Sequence, residues 1–169
     1  MNCRQNWSQN CEDELNKQIA REYQASLSYH SISCYFNRDN VGIQSLVDYF
    51  NKASLEEREH ANNLMNYQNQ RGGVVKLGSI VPLTFELEKP NDIRDAFKLA
   101  LEMEKEINQH LLNLHQVADN ENDPQFCDYL EGNYLKEQVE AISEISKIIS
   151  VLERFNGDQH AIWNYIQKL

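Results

Sequence analysis

The sequence has few residues that interrupt helices, with 6 glycines and 3 prolines among 169 residues. It has no long apolar run, so no stretch has the length of a membrane span. The four cysteines, Cys3, Cys11, Cys34 and Cys127, lack the paired spacing of a zinc site. We interpret them as reduced thiols rather than as a disulfide framework. These shortages favour an all-helical chain rich in strong helix formers.

Basic residues are also in the minority, with 16 Lys and Arg against 26 Asp and Glu and a formal net charge of −10. This charge argues against nucleic-acid and anionic membrane partners and is compatible with cation binding. No apolar run follows the first residues, so no secretory signal peptide is visible. We therefore expect a cytoplasmic protein.

Apolar residues recur at helical spacing along four long segments, which predicts a four-helix bundle. The chain is long enough to bury a sizeable core as one domain. We assign residues 1–9 to a polar tail, residues 10–155 to the bundle, with helices at about 10–36, 43–70, 91–118 and 124–155, and residues 159–168 to a short fifth helix.

The connection between the second and third helices, residues 72–90, lacks a helical pattern. Extended chain covers about 3.3 Å per residue, so this segment can run the length of a helix of about 25 residues, roughly 38 Å. We therefore predict a long crossover, unlike the connections of a simple up-down-up-down bundle. Its apolar residues can pack along their own bundle or against another subunit, and the sequence leaves both arrangements open.

Each long helix carries a polar residue where its apolar stripe should continue. The first helix has Glu22, the second has Glu57 with His60, the third has Glu104 and the fourth has Gln138. A lone buried charge is costly unless it is paired or bound to a cation. A single Glu-x-x-His is common by chance, but mid-helix positions of a bundle meet in its core. The coincidence on four helices therefore predicts one metal site.

The ligand types restrict the metal and its affinity. Carboxylates with one imidazole suit iron, manganese or zinc, and the excess of oxygen ligands in a bundle favours iron. Di-iron bundles carry Glu-x-x-His on two helices, whereas this chain has it only at Glu57 and His60. Gln138 occupies the matching place on the fourth helix, so a second metal would be held more weakly. Weak binding suits an enzyme whose substrate is iron.

Several segments resemble eukaryotic ferritins of the catalytic heavy-chain type, and the resemblance covers nearly the whole chain. The most specific segment is Glu56–Ala61 with the sequence EEREHA; the others are Arg4–Trp7, Gln68–Gly73, Asn122–Pro124 with Cys127 and Asp128, and Tyr134–Val139. The resemblance implies a ferritin-like bundle in a cage of 24 subunits, a homo-oligomer or one mixed with a second ferritin subunit type. It also implies oxidation of Fe(II) by O2 and storage of ferric mineral in the cavity.

The resemblance also implies roles for the residues on the stripes. The ferroxidase centre would consist of Glu22, Glu57, His60, Glu104 and Gln138, with Tyr29 as a neighbouring redox partner. Glu22, Glu57 and His60 would bind the first iron. Glu57 would bridge to a second iron held by Glu104, and Gln138 would hydrogen-bond oxygen or water nearby.

Two further sites are implied by the resemblance alone. A three-fold channel would concentrate cations, although acids near the start of a helix also simply complement its dipole. Mineral nucleation would involve exposed acids, but the next position of the family's acidic patch is Asn62 here. The residues concerned are His115, Cys127, Asp128 and Glu131 for the channel, and Glu56 and Glu59 for nucleation.

Two other functions compete with this one. A di-iron oxidase or oxygenase acting on an organic substrate would use the same carboxylates, but it usually has a second Glu-x-x-His. A metal-free helical scaffold leaves the polar residues on four stripes unexplained. The sequence therefore favours an iron-storage ferroxidase.

Overall fold

The computed structural model describes residues 2–169, which contain six helices and one π-helical segment. Their order confirms the expected all-helical bundle, with a crossover between its second and third helices and a short C-terminal helix. Within this range, no helix has both the length and the apolar character needed to cross a membrane. The elements are α1 (Gln9–Phe36), α2 (Gln44–Gln70), α3 (Asp92–Asn120), α4 (Pro124–Leu130), a π-helical segment (Glu131–Leu135), α5 (Lys136–Arg154) and α6 (Gln159–Ile166).

Side-chain caps fix several helix starts. Ser8 accepts a hydrogen bond from the backbone N–H of Cys11 and caps α1. The Asp123 carboxylate accepts from the backbone N–H of Phe126, with Pro124 in the first turn of α4. This agrees with the predicted start of the fourth helix at about residue 124.

Two serines lock α1 to α2. Ser26 Oγ donates to the Ser54 carbonyl at 2.7 Å, and Ser54 Oγ donates to the Ser26 carbonyl at 2.7 Å. Glu22 lies one turn before Ser26, and Glu57 lies about one turn after Ser54. Because the two helices are antiparallel neighbours, the serine pair brings the two glutamates to the same level.

The core consists of two apolar halves. The α6 half includes Tyr29, Phe36, Phe50, Phe97, Met103, Ile145 and Ile166. The Trp7 half includes Trp7, Ile19, Ala61, Leu64, Ile107, Phe126 and Tyr134. On α2, α3 and α5, the predicted polar position falls between these two halves, whereas Glu22 on α1 lies at the edge of the Trp7 half, between Ile19 and Ala25. Packing on both sides therefore holds the helices that present the polar layer.

The crossover runs along α1 of its own chain. The Asn16 side chain donates to the Val74 carbonyl at 3.0 Å and accepts from the Lys76 N–H at 2.8 Å. Further along, the Leu83 N–H donates to Ser28 Oγ at 3.0 Å. Of the two placements left open, the structure shows the one against its own bundle. Its outward side still exposes Leu77 and Val81.

Both ends of the chain dock on the bundle. Trp7, expected in a polar tail, is 5% exposed, and its ring contacts Tyr67 and Phe126. The reason is that one indole buries enough apolar surface to outweigh its polar neighbours. At the other end, Ile166 of α6 is fully buried in the α6 half.

Candidate metal centre

The polar residues predicted on the four stripes lie in one buried layer. Glu22 on α1 is 0% exposed, Glu57 on α2 and Glu104 on α3 are each 4% exposed, and Gln138 on α5 is 3% exposed. His60, one turn after Glu57, is only partly buried. The fold therefore brings together residues that are far apart in the sequence, as the periodicity indicated.

Three of these residues form a candidate metal site. Glu22, Glu57 and His60 each offer a ligand atom, and these atoms lie within 4.8 Å of one another. The Glu22 Oε1 atom accepts from Gln18 Nε2 at 2.7 Å. Its Oε2 atom is buried without a hydrogen-bond partner among the described residues. A buried carboxylate oxygen without a partner is costly, and a cation among the three ligand atoms would satisfy it.

The electrostatics of the layer also favour a cation. Burial, and then the nearby Glu57 carboxylate, raises the pKa of Glu22 well above its usual range. Burial, and then the charge of Glu104, raises the pKa of Glu57 to about 8. Burial also raises the pKa of Glu104. These carboxyl groups therefore resist ionising together, and a divalent cation would remove the cause of that resistance.

The other side of the layer is a hydrogen-bonded pair. Glu104 Oε1 accepts from the Tyr29 hydroxyl, and Glu104 Oε2 accepts from Gln138 Nε2 at 3.1 Å. The Oε1 atom of Gln138 is buried without a partner in the described part of the chain. Glu104 and Gln138 thus lie beside the triad but are already partly engaged with each other. A metal at this position would compete with existing hydrogen bonds.

Sequence reasoning missed two side chains that contact the triad. Glu137 Oε2 lies 3.3 Å from His60 Nε2, on the opposite side of the ring from Glu57, whose Oε2 is 3.3 Å from Nδ1. The other is Gln18, which holds Glu22. Gln18 lies one turn before Glu22, and that spacing could have signalled it. No spacing within one helix could have predicted the role of Glu137, because its contact with His60 joins two different helices.

The sequence pattern predicted one uninterrupted fourth helix and gave no clear indication of the π-helical segment within it. It ends at Leu135, within one turn of Gln138, and π-helical turns are frequent at functional sites. Tyr134 of this segment is buried and donates to the His60 carbonyl at 3.2 Å. Gly132 was the only sign of the irregularity, and one glycine does not locate such a turn.

The acids implied in nucleation lie on an open groove beside the triad. Glu56 and Glu59 are exposed, and with His60 and Glu137 they line a groove of about 660 Å³. A second groove of about 600 Å³ runs past Glu104 to the C-terminus. Nucleation at Glu56 and Glu59 stays a prediction.

Three of the four channel residues converge on one surface patch. His115 Nε2 lies 2.7 Å from Glu131 Oε1, and the Cys127 thiol donates weakly to the His115 carbonyl at 4.0 Å. Asp128 is exposed on α4, one turn before Glu131. The channel itself requires several subunits and stays a prediction.

Comparison with known proteins identifies the family. Residues 12–155 match the Ferritin family, described as a ferritin-like domain. The chain is 48% identical over 168 residues to "Ferritin, chloroplastic" of Malus baccata var. xiaojinensis, covering 98% of this chain and 67% of the relative. It is also 48% identical to "Ferritin-3, chloroplastic" of Glycine max, covering 98% of this chain and 65% of the relative. The chain thus spans about two thirds of the length of these relatives.

These names contradict the expected cytoplasmic location, since the relatives are chloroplastic ferritins. The expectation rested on the lack of a secretory signal near the first residue. It was wrong because a ferritin-like bundle carries no information on its compartment, and the match leaves about a third of each relative unmatched.

Three observations lead to the same conclusion: the bundle with its long crossover, the buried carboxylate layer and the similarity over nearly the whole chain. The chain belongs to the eukaryotic ferritin family, and it is an iron-storage ferritin subunit.

Proposed function

We propose that this chain is a catalytic ferritin subunit, which oxidises Fe(II) with O2 inside its own bundle before the iron is stored. The main support is the triad of Glu22, Glu57 and His60, whose ligand atoms lie within 4.8 Å of one another. The Oε2 atom of Glu22 has no hydrogen-bond partner among the described residues, so it is available to bind a cation. The carboxylates of the triad would repel each other when ionised, and a bound cation would offset that repulsion.

In this proposal, the triad binds the first Fe(II). The Nδ1 atom of His60 faces Glu57, and Nε2 faces Glu137. Nδ1 would therefore bind iron, while Nε2–H donates to the Glu137 carboxylate. Such a carboxylate partner fixes the orientation and the tautomer of a metal-binding histidine. Glu137 is then a positioning residue for the first iron.

The second Fe(II) would lie between Glu57 and Glu104, with Gln138 Oε1 directed to it or to bound oxygen. Glu104 already accepts hydrogen bonds from Tyr29 and Gln138, and glutamine brings no charge. This iron is therefore held less tightly than the first. Each Fe(II) gives one electron to O2, so the pair reduces O2 to peroxide with uptake of two protons. The weaker binding lets Fe(III) leave.

The surrounding features give the substrate a route. We assign Fe(II) access to His115, Cys127, Asp128 and Glu131, whose acids would concentrate cations where subunits of a 24-subunit cage meet. Product would pass along the grooves beside His60 and Glu137 to Glu56 and Glu59. The cage consists of copies of this chain, alone or with a second ferritin subunit type. The names of the relatives support a plastid location.

The decisive experiment is aerobic Fe(II) oxidation, followed by absorbance, on metal-stripped protein of verified cage size. A fast phase that saturates near two Fe(II) per subunit is the expected result. A slow rise equal to the protein-free control would refute the proposal. The double variant Glu57→Ala with His60→Ala should lose the fast phase while its cage elutes unchanged. Glu102→Ala, on the exposed face of α3, is the matched control and should keep the fast phase.

A further inference from the structure

A row of aromatic rings leads away from the candidate metal centre. The His60 and Tyr134 ring centroids are 5.6 Å apart, and those of Tyr134 and Tyr129 are 5.8 Å apart. Tyr129 stacks on Tyr67 at 4.0 Å, and Tyr67 meets Trp7 edge to face at 5.8 Å. Successive rings are thus at or near van der Waals contact from the metal ligand to the N-terminal segment.

We propose that Tyr134, Tyr129, Tyr67 and Trp7 form an electron-transfer path, along which Trp7 supplies electrons to peroxide at the metal centre. The inference rests on the proposed ferroxidase function, which provides the oxidant. The path would act when a centre holds too little Fe(II) to reduce peroxide fully. It would spare His60 and the carboxylate ligands from oxidation.

Packing alone does not require these residue types. Phenylalanine fills a core as well as tyrosine does, and a buried tyrosine must also satisfy its hydroxyl. Here each phenol has a hydrogen-bond acceptor, so that none of the three hydroxyl groups is left unsatisfied. Tyr134 donates to the His60 carbonyl at 3.2 Å, Tyr129 to the Asn63 carbonyl at 3.2 Å and Tyr67 to Gln125 Oε1 at 2.6 Å.

Burial shields both ends of the path from solvent. Tyr134 is 3% exposed, and Tyr67 and Trp7 are each 5% exposed, whereas Tyr129 is only partly buried and lines the groove beside His60. Diffusing oxidants therefore reach Trp7 poorly. An oxidising equivalent generated at the centre passes between rings in contact instead.

The chemistry balances with hydrogen peroxide as the oxidant. Reducing hydrogen peroxide to two waters takes two electrons and two protons. One Fe(II) supplies one electron and becomes Fe(III). Tyr134 supplies the other electron with its phenolic proton, solvent supplies the second proton, and a neutral tyrosyl radical remains.

Each later step moves one electron and one proton back along the row. Tyr129 restores Tyr134, Tyr67 restores Tyr129, and Trp7 restores Tyr67 by losing its indole hydrogen. A one-electron reductant from solution, such as ascorbate, then returns an electron and a proton to Trp7.

The chain contains 2 tryptophans, which provide an internal comparison. Trp7 is 5% exposed, whereas Trp163 of α6 is 47% exposed. Assembled protein with one Fe(II) per subunit is treated with hydrogen peroxide, and peptide mass spectrometry measures oxygen addition at both residues. The proposal predicts more oxidation at buried Trp7 than at exposed Trp163. The reverse order would show attack by diffusing radicals and would overturn it.

A variant then tests the row itself. Tyr129→Phe keeps the ring but cannot be oxidised at a phenol, so Trp7 oxidation should fall to the iron-free level. Freeze-quench electron paramagnetic resonance should then detect a radical that stays at Tyr134. Tyr165→Phe, in α6 and outside the row, is the control. Trp7 oxidation that is unchanged in Tyr129→Phe would refute the path.

The Fe(II) oxidation burst is measured in the same samples. A normal burst in Tyr129→Phe with loss of Trp7 oxidation supports the path. A normal wild-type burst without preferential Trp7 oxidation refutes the path alone. An absent wild-type burst refutes the ferroxidase proposal, and the path with it.

Discussion

Replacing Glu57 by glutamine should stabilise the metal-free protein at neutral pH while it abolishes the proposed iron chemistry. The raised pKa of Glu57 means that the folded protein retains a proton that the unfolded chain releases once the pH exceeds about 4.3. Stability is therefore lost as the pH rises from that value toward the folded-state pKa of about 8. Glutamine fits the same space and carries no titrating proton.

The size of the effect follows from linkage. Each carboxyl that stays protonated only in the folded state lowers the free energy of unfolding by about 1.4 kcal/mol per pH unit. For a chain of this size, that corresponds to roughly 3–6 °C in Tm per pH unit. Glu22 adds a slope of the same sign, because its pKa is raised too. The variant should therefore show a shallower fall of Tm than the wild type.

The assay is calorimetry of cages kept in chelator, at one scan rate, between about pH 5.5 and pH 7.5. Glu102→Gln is the matched control, since its carboxylate is exposed. Adding a divalent cation should flatten the wild-type slope, because bound metal stabilises the ionised carboxylates. Equal slopes for Glu57→Gln and the wild type in chelator would refute the electrostatic reasoning.

Three further substitutions test other contacts. Glu137→Gln should weaken Fe(II) binding about tenfold, measured by titration under nitrogen, by removing the carboxylate that orients the metal-binding imidazole; unchanged affinity would contradict that role. Gly73→Ala should lower stability by about 1–3 kcal/mol, because the added Cβ would lie 2.7 Å from Trp7 Nε1. Gly78→Ala, with no atom of the described residues within 4 Å of its Cβ, is its control in the same thermal melt. Asp123→Ala should cost about 3–5 kcal/mol in denaturant unfolding, since it leaves a partly buried arginine without its carboxylate; a loss below 1 kcal/mol would contradict this.

The sequence was sufficient to predict the polar layer. Glu22, Glu57, Glu104 and Gln138 each interrupt an apolar stripe, and a buried polar group is visible wherever periodicity shows which face is buried. The bundle itself follows from the same periodicity, and the crossover follows from the length of one unpatterned segment.

Other features depend on contacts that periodicity does not encode. Glu137 reaches His60 from another helix, so its role depends on the relative rotation of α2 and α5. The π-helical segment shifts hydrogen bonds by one residue without changing the composition. Trp7 was assigned to a tail because the residues around it are polar, although a single indole was enough to dock the segment.

The polar layer makes stability depend on the metal. Its carboxyl groups oppose folding at neutral pH when no cation is present, so the bundle has to be held by other contacts. Those contacts lie on both sides of the layer: the α6 half, the Trp7 half, and the reciprocal hydrogen bonds of Ser26 and Ser54. Because the two halves pack independently of the layer, the proposed site could bind iron and release it without unfolding the bundle. The proposed ferroxidase function needs this arrangement, since its centre would have to release iron after every turnover.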